Sequence, residues 1–154
     1  MRLFVRSGRV GEIGIAHFEE QIWSQRRGSN SLEKSGFAGR IGHLLVVEDS
    51  ALLAMDVELT AIDLGVESVS VAPGALDALQ LLEGGDVDAA LIDLFLGGED
   101  GLLVAERLRE LDIPFAVMTG ASDLEWLQAQ VPGAPILGKP FTRERLAETL
   151  EKLC

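Results

Sequence analysis

From His43 onward, apolar residues fall alternately into short continuous runs and into three- and four-residue spacings, as expected of strands alternating with helices. His43–Glu48 (HLLVVE) is an apolar run ending in an acid, the form of a buried parallel strand. Ser50–Gly65 has helical spacing in Leu52, Leu53, Val57, Leu59, Ala61 and Leu64, with Asp49 or Ser50 as N-cap and Gly65 as the stop. Val66–Val71 alternates and is more polar, as an edge strand would be. Pro73–Leu82 predicts a second helix carrying Leu76, Leu79, Leu81 and Leu82, ended by Gly84-Gly85. Asp88–Asp93 (DAALID) is a third strand, Leu94–Asp100 a loop and Gly101–Leu111 a third helix. Phe115–Thr119 follows as a strand, Ser122–Gln130 as a short helix capped by Ser122 or Asp123, and Pro135–Gly138 as a fifth strand. Thr142–Leu153 is a final helix capped by Thr142, with Leu146, Ala147, Leu150 and Leu153 on its apolar face.

Five strands alternating with five helices imply a doubly wound α/β domain, a parallel sheet with helices on both faces. Residues 1–42 break the pattern. They hold seven of the 17 glycines and no strong strand. Ile15, Phe18, Ile22 and Trp23 could line one face of a short helix through residues 12–26, and Arg26–Gly42 reads as a linker. The expected organisation is a flexible or partly helical N-terminal extension over residues 1–42 and one domain over residues 43–154.

Charge sharpens that boundary. Residues 1–42 carry seven basic and four acidic residues, a net +3, whereas residues 43–154 carry six basic and 21 acidic residues, a net −15. A whole-chain charge of −12 argues against nucleic acid and against anionic membrane surfaces as partners. Cys154 is the single cysteine among 154 residues, so no intramolecular disulfide can form, which fits a reducing compartment. No stretch approaches a membrane span, and Arg2, Arg6 and Arg9 interrupt any signal-peptide core. A soluble cytoplasmic protein is expected. With only His17 and His43, a histidine-rich metal site is not.

In a parallel doubly wound sheet, ligands sit beyond the carboxyl ends of the strands. Those ends carry Glu48-Asp49, Asp93, Thr119 and Gly138-Lys139-Pro140. Three carboxylates in one cleft repel one another unless a cation joins them, and Mg²⁺ takes such oxygen ligands. With a hydroxyl and an amine beside them, the set suits a metal held next to a phosphoryl group. A carboxylate can itself be the nucleophile, giving an acyl phosphate. Taken alone, Asp93 could be a loop cap, Glu48-Asp49 a helix cap and Lys139 a solvated lysine; their common placement at strand ends favours the chemical reading.

The segments LLVVEDS (44–50), DAALIDLFLGGEDGL (88–102), MTG (118–120) and LGKPF (137–141) resemble the receiver domain of two-component response regulators. The resemblance covers residues 43–153. It implies a flavodoxin-like fold with strand order 2-1-3-4-5 and a signalling module rather than an enzyme, of the stand-alone single-domain type. Asp93 would be the phosphoacceptor. Glu48, Asp49, Asp93 and the backbone carbonyl of Phe95 would hold Mg²⁺, and Thr119 and Lys139 would contact the phosphoryl oxygens. A histidine kinase or phosphotransfer protein would donate phosphate. Output would go through a downstream protein or as a phosphate sink, with a homodimer left open. The PFAVMTG and LGGEDG segments are also similar to the FAT GUY subgroup of single-domain receivers. Three positions depart from these patterns: Ile136 replaces the usual switch aromatic, Gly97 replaces a common proline, and Ala121 replaces the subgroup's tyrosine.

Two rival readings are a phosphorylation-independent adaptor and a Mg²⁺-dependent phosphohydrolase; the latter usually places a DxD pair where this chain has Glu48-Asp49-Ser50. Gly133–Lys139 matches GxxxxGK, but Pro140 stands where a nucleotide-binding loop needs Ser or Thr, and no GxGxxG occurs.

Overall fold

The structure is a computed structural model that describes residues 41–96, 99–120 and 124–154. The helix expected through residues 12–26, most of the linker, Gly97, Ala121 and the Ser122 or Asp123 cap lie outside the described residues. Five parallel strands form the sheet: β1 (His43–Val47), β2 (Ser68–Ala72), β3 (Ala89–Asp93), β6 (Phe115–Thr119) and β7 (Ile136–Gly138). Their spatial order is β2-β1-β3-β6-β7, with every pairing parallel. This is the flavodoxin-like order 2-1-3-4-5 once a small separate hairpin is set aside. That hairpin, β4 (Phe95–Leu96) against β5 (Glu99–Asp100), occupies the segment expected to be a plain loop.

The helices are α1 (Ala51–Asp63), α2 (Ala75–Glu83), α3 (Gly101–Glu110), α4 (Leu124–Gln130) and α5 (Arg143–Glu151). Side chains alternate across a strand, so each buried strand feeds two core layers. Leu45, Val47, Ala90, Ile92 and Val117 point into one layer, covered by α2, α3 and α4 through Ala78, Leu82, Val104, Leu108 and Leu127. Leu44, Val46, Ala89, Leu91, Ala116 and Met118 point into the other, covered by α1 and α5 through Val57, Ala61, Leu146 and Leu150. Ile41 joins this second layer, and the Ile41 and Gly42 carbonyls accept the N–H groups of Glu67 and Ser68.

Helix ends follow local chemistry. The Ser50 and Thr142 hydroxyls accept from the N–H groups of Leu53 and Arg145, and Gly65 ends α1 at φ 111°. The inward face of α1 differs from the most obvious leucine spacing. Ala54, Val57 and Ala61 are buried, while Leu52 and Leu59 face outward. The helix is apolar on most of its circumference, so periodicity alone does not choose a face; the smaller residues allow it to lie close against the sheet.

Leu91 lies on the central strand with no exposed surface. Leu91→Ala should cost about 2–5 kcal/mol of unfolding free energy, because the surrounding sheet and helices close only partly over the void. Urea denaturation followed by far-ultraviolet circular dichroism checks this; a change within experimental error would contradict the packing described.

Candidate functional site

The strand pleat and register bring two carboxylates to one spot. Val47 of β1 pairs with Ile92 of β3, so the next residues, Glu48 and Asp93, leave the sheet side by side. Both continue the alternation that points Leu44, Val46, Ala89 and Leu91 toward the α1/α5 layer. Both are buried, with 2% of Glu48 and 6% of Asp93 exposed. Two adjacent buried carboxylates require a cation. Lys139, just past β7, supplies it: its ammonium donates to Glu48 Oε2 at 2.6 Å and to Asp93 Oδ2 at 2.7 Å. The Lys139 backbone N–H donates to the Thr119 carbonyl at 2.7 Å, which fixes where the side chain departs, and a cis Lys139–Pro140 peptide follows.

The second oxygen of each carboxylate has its own partner. Glu48 Oε1 accepts from the Ser50 N–H at 3.2 Å, and Asp93 Oδ1 accepts from the Phe95 N–H at 2.8 Å. Asp49 is exposed, and carboxylate oxygens of Glu48, Asp49 and Asp93 all lie within 4.8 Å of one another. Hard oxygen donors at that spacing fit a divalent cation such as Mg²⁺. Thr119 is buried at the end of β6. Every residue singled out at the strand ends therefore reaches the same rim, and Glu48, Asp93 and Lys139 are joined directly.

Burial pushes the Glu48 carboxyl above its ordinary value, against the opposing pull of Lys139 and the Ser50 N–H. Burial alone would lower Lys139, but its hydrogen bonds to Asp93 and Glu48 outweigh that and hold the ammonium above its ordinary value. The ammonium thus stays charged, and Glu48 carries the cost of desolvation.

Three features of the site have little trace in the sequence. The Phe95 N–H bond to Asp93 depends on the backbone turning immediately after β3. A Cβ on Gly101 would stand 2.7 Å from the Leu94 Cα and 2.8 Å from the Asp93 carbonyl oxygen, so α3 begins against the peptide that carries Asp93. Trp126 of α4 stacks on Phe95, with ring centroids 6.0 Å apart and an interplanar angle of 30°. For the second, residue order placed Gly101 only as the start of a helix; Trp126 carried no signal. At the position of the usual switch aromatic, Ile136 packs half-buried against the core. The GxxxxGK match is no phosphate loop, since β7 occupies its second half and Leu137 is buried.

A doubly wound parallel sheet with a lysine clamped between two buried acids at its carboxyl-end rim defines a class of α/β signalling domain. The response regulator receiver domain family matches residues 44–151, and the chain belongs to that family. It is 30% identical over 118 residues to the chemotaxis protein CheY-3 of Vibrio cholerae, a match covering 71% of this chain and 89% of CheY-3. A response regulator receiver protein from Sinorhizobium medicae superposes with a TM-score of 0.66 at 32% identity, covering 74% of this chain and 94% of that one. SdrG from Sphingomonas melonis superposes with a TM-score of 0.65 at 38% identity, covering 73% and 96%. The chain spans about half the length of two other relatives, LytT of Enterococcus faecalis (47%) and DctR of Priestia megaterium (50%). Receiver domains are signalling modules that accept phosphoryl groups rather than enzymes in the usual sense. Among the described residues, no helix is long and apolar enough to cross a membrane.

Replacing Lys139 with methionine leaves two buried carboxylate oxygens without their donor. The loss should be about 1–3 kcal/mol near neutral pH. Its pH dependence has a definite sign. Without the ammonium, the folded-state Glu48 value rises further, so the variant loses stability as pH climbs from the ordinary carboxylate range through that raised value. Urea titrations should therefore show a larger deficit for Lys139→Met at about pH 8 than at about pH 5; an equal deficit would contradict the arrangement. Gly101→Ala should lower stability by about 1–3 kcal/mol through backbone crowding, read from the same titrations.

Proposed function

We propose that the domain accepts a phosphoryl group on Asp93 from a histidine kinase or phosphotransfer protein. The observation that carries this reading is the Lys139 ammonium bound to both Asp93 and Glu48 at a rim that also collects Asp49 and Thr119. The Asp93 carboxylate attacks phosphorus, an O–P bond forms, and the P–N bond of the donor phosphohistidine breaks. The electron pair stays on the imidazole nitrogen, which then takes a proton from solvent.

The chain's own residues divide the remaining work. The Phe95 N–H holds one Asp93 oxygen and so orients the carboxylate. Lys139 transfers its hydrogen bond from the carboxylate to a phosphoryl oxygen, compensating the charge that arrives. Thr119 contacts another phosphoryl oxygen from the neighbouring strand end. Glu48, Asp49, Asp93 and the Phe95 carbonyl would hold Mg²⁺, which when bound neutralises phosphoryl oxygens. The signal then passes through contacts with a downstream protein, or the domain drains phosphate from its donor. The acidic surface disfavours nucleic acid and anionic lipid as direct partners.

Incubation with acetyl phosphate and Mg²⁺ should give a covalent phosphoryl label that hydroxylamine removes, as acyl phosphates require. Asp93→Asn should abolish the label, and chelation of Mg²⁺ should prevent it. Lys139→Met should slow labelling by about 10²-fold, the scale for losing one pre-placed donor to developing charge. A label that survives Asp93→Asn would refute the assignment.

A further inference from the structure

The receiver segment from residue 43 contains four aromatic residues: Phe95, Phe115, Trp126 and Phe141. Phe115 is buried and Phe141 is half-buried against the core. The other two lie outside both core layers, yet they lie together: Phe95 is 51% exposed, Trp126 is 42% exposed, and their rings stack. Leaving large aromatic surface in water is unfavourable, so a pair kept at the surface, away from the core, calls for a reason other than core packing.

Its position supplies one. Phe95 is bonded through its own N–H to Asp93 Oδ1 at 2.8 Å. Its backbone belongs to a hairpin only two residues long on each side, paired Phe95 to Asp100 and Leu96 to Glu99. That hairpin is anchored at one end by the buried Leu96 and at the other by Asp100, whose carboxylate accepts from Leu102 N–H at 2.9 Å and starts α3. Among the described residues, the Phe95 ring stacks on Trp126, which is carried by α4, a separate helix following β6. The contact therefore joins the peptide that orients Asp93 to α4. Meanwhile Ile136, on β7, presents a half-buried aliphatic side chain against the core, with no aromatic ring.

We propose that Trp126 is a positioning residue for Asp93, acting through the Phe95 ring, and that the same contact reports the state of Asp93 to α4. The proposal rests on the phosphoacceptor reading of Asp93. When Asp93 becomes an acyl phosphate, the oxygen available to the Phe95 N–H changes in charge and position. The hairpin backbone must adjust, and the stacked Phe95 ring carries that adjustment to Trp126. In the other direction, Trp126 limits the Phe95 ring and hence the peptide whose N–H orients the attacking carboxylate.

The test uses the full chain with Trp23→Phe, so that Trp126 is the sole tryptophan. Labelling of Asp93 by acetyl phosphate with Mg²⁺ is measured alongside Trp126 emission. Labelling should shift or quench the emission in step with its extent, and Phe95→Leu should remove most of that response. In the chain with Trp23 retained, Trp126→Leu should slow labelling by roughly tenfold, the order expected when an attacking group is misplaced. Trp126→Phe, which retains a ring for stacking, should recover most of the rate. Both residues are half-exposed, and urea titration confirms that each variant is folded. Full labelling with unchanged Trp126 emission overturns the proposal and leaves the phosphoacceptor reading intact. So does a Trp126→Leu protein that labels at the parent rate, or a Trp126→Phe protein as slow as Trp126→Leu. A folded parent protein that takes no label overturns both.

Discussion

One ammonium between two buried carboxylates governs the arrangement of the whole carboxyl-end rim. Lys139 bonds Glu48 and Asp93 at 2.6 and 2.7 Å, tying the ends of β1 and β3 to the segment after β7. Burying two acids side by side is costly unless a counter-charge stands between them, and Lys139 is that counter-charge. The cost has not vanished, because burial still raises Glu48. A site held in this way is under electrostatic tension. Each carboxylate keeps its second oxygen on a backbone N–H, Glu48 on Ser50 and Asp93 on Phe95, so the lysine and the backbone share the work of holding the pair.

The scaffold makes that arrangement possible by keeping the inner strands β3 and β6 apolar up to their last residues. The described buried polar and charged residues are Glu48, Asp93, Thr119 and Thr149. Three of these four stand at strand ends on one rim; Thr149 instead bonds the Arg145 carbonyl within α5. The interior thus supplies apolar strands, and polar chemistry begins at or just past the ends of β1, β3, β6 and β7. On either side of residues 97–98, the Phe95 N–H bonds Asp93, Gly101 sits close against the Leu94 backbone, and Asp100 caps α3.

Much of this was legible from residue order. Short apolar runs ending in Glu48, Asp93, Thr119 and Lys139 marked strands and site together, because a parallel strand covered on both faces must be apolar throughout and can become polar only at its end. The caps at Ser50 and Thr142 fall where the sequence put them, whereas other boundaries shifted by one or two residues, as where the helix expected from Pro73 starts at Ala75. The outward leucines of α1 were less legible, since a helix apolar on most sides does not announce which side is buried. The hairpin after β3 was hidden for a different reason. Two-residue strands carry too short a pattern to register, and their pairing depends on where Leu96 can be buried.

The sequence by itself determined the alternation of strands and helices, the acidic character of the domain and the set of residues that meet at the rim. These follow from local periodicity and from the rule that strand ends gather at one edge. Only the tertiary structure decided the register that sets Glu48 beside Asp93, the choice of Lys139 as their common donor, and the stacking of Trp126 on Phe95. Those depend on distances between segments far apart in the chain. No pattern within one segment encodes them, because each is fixed by how two independently formed elements pack.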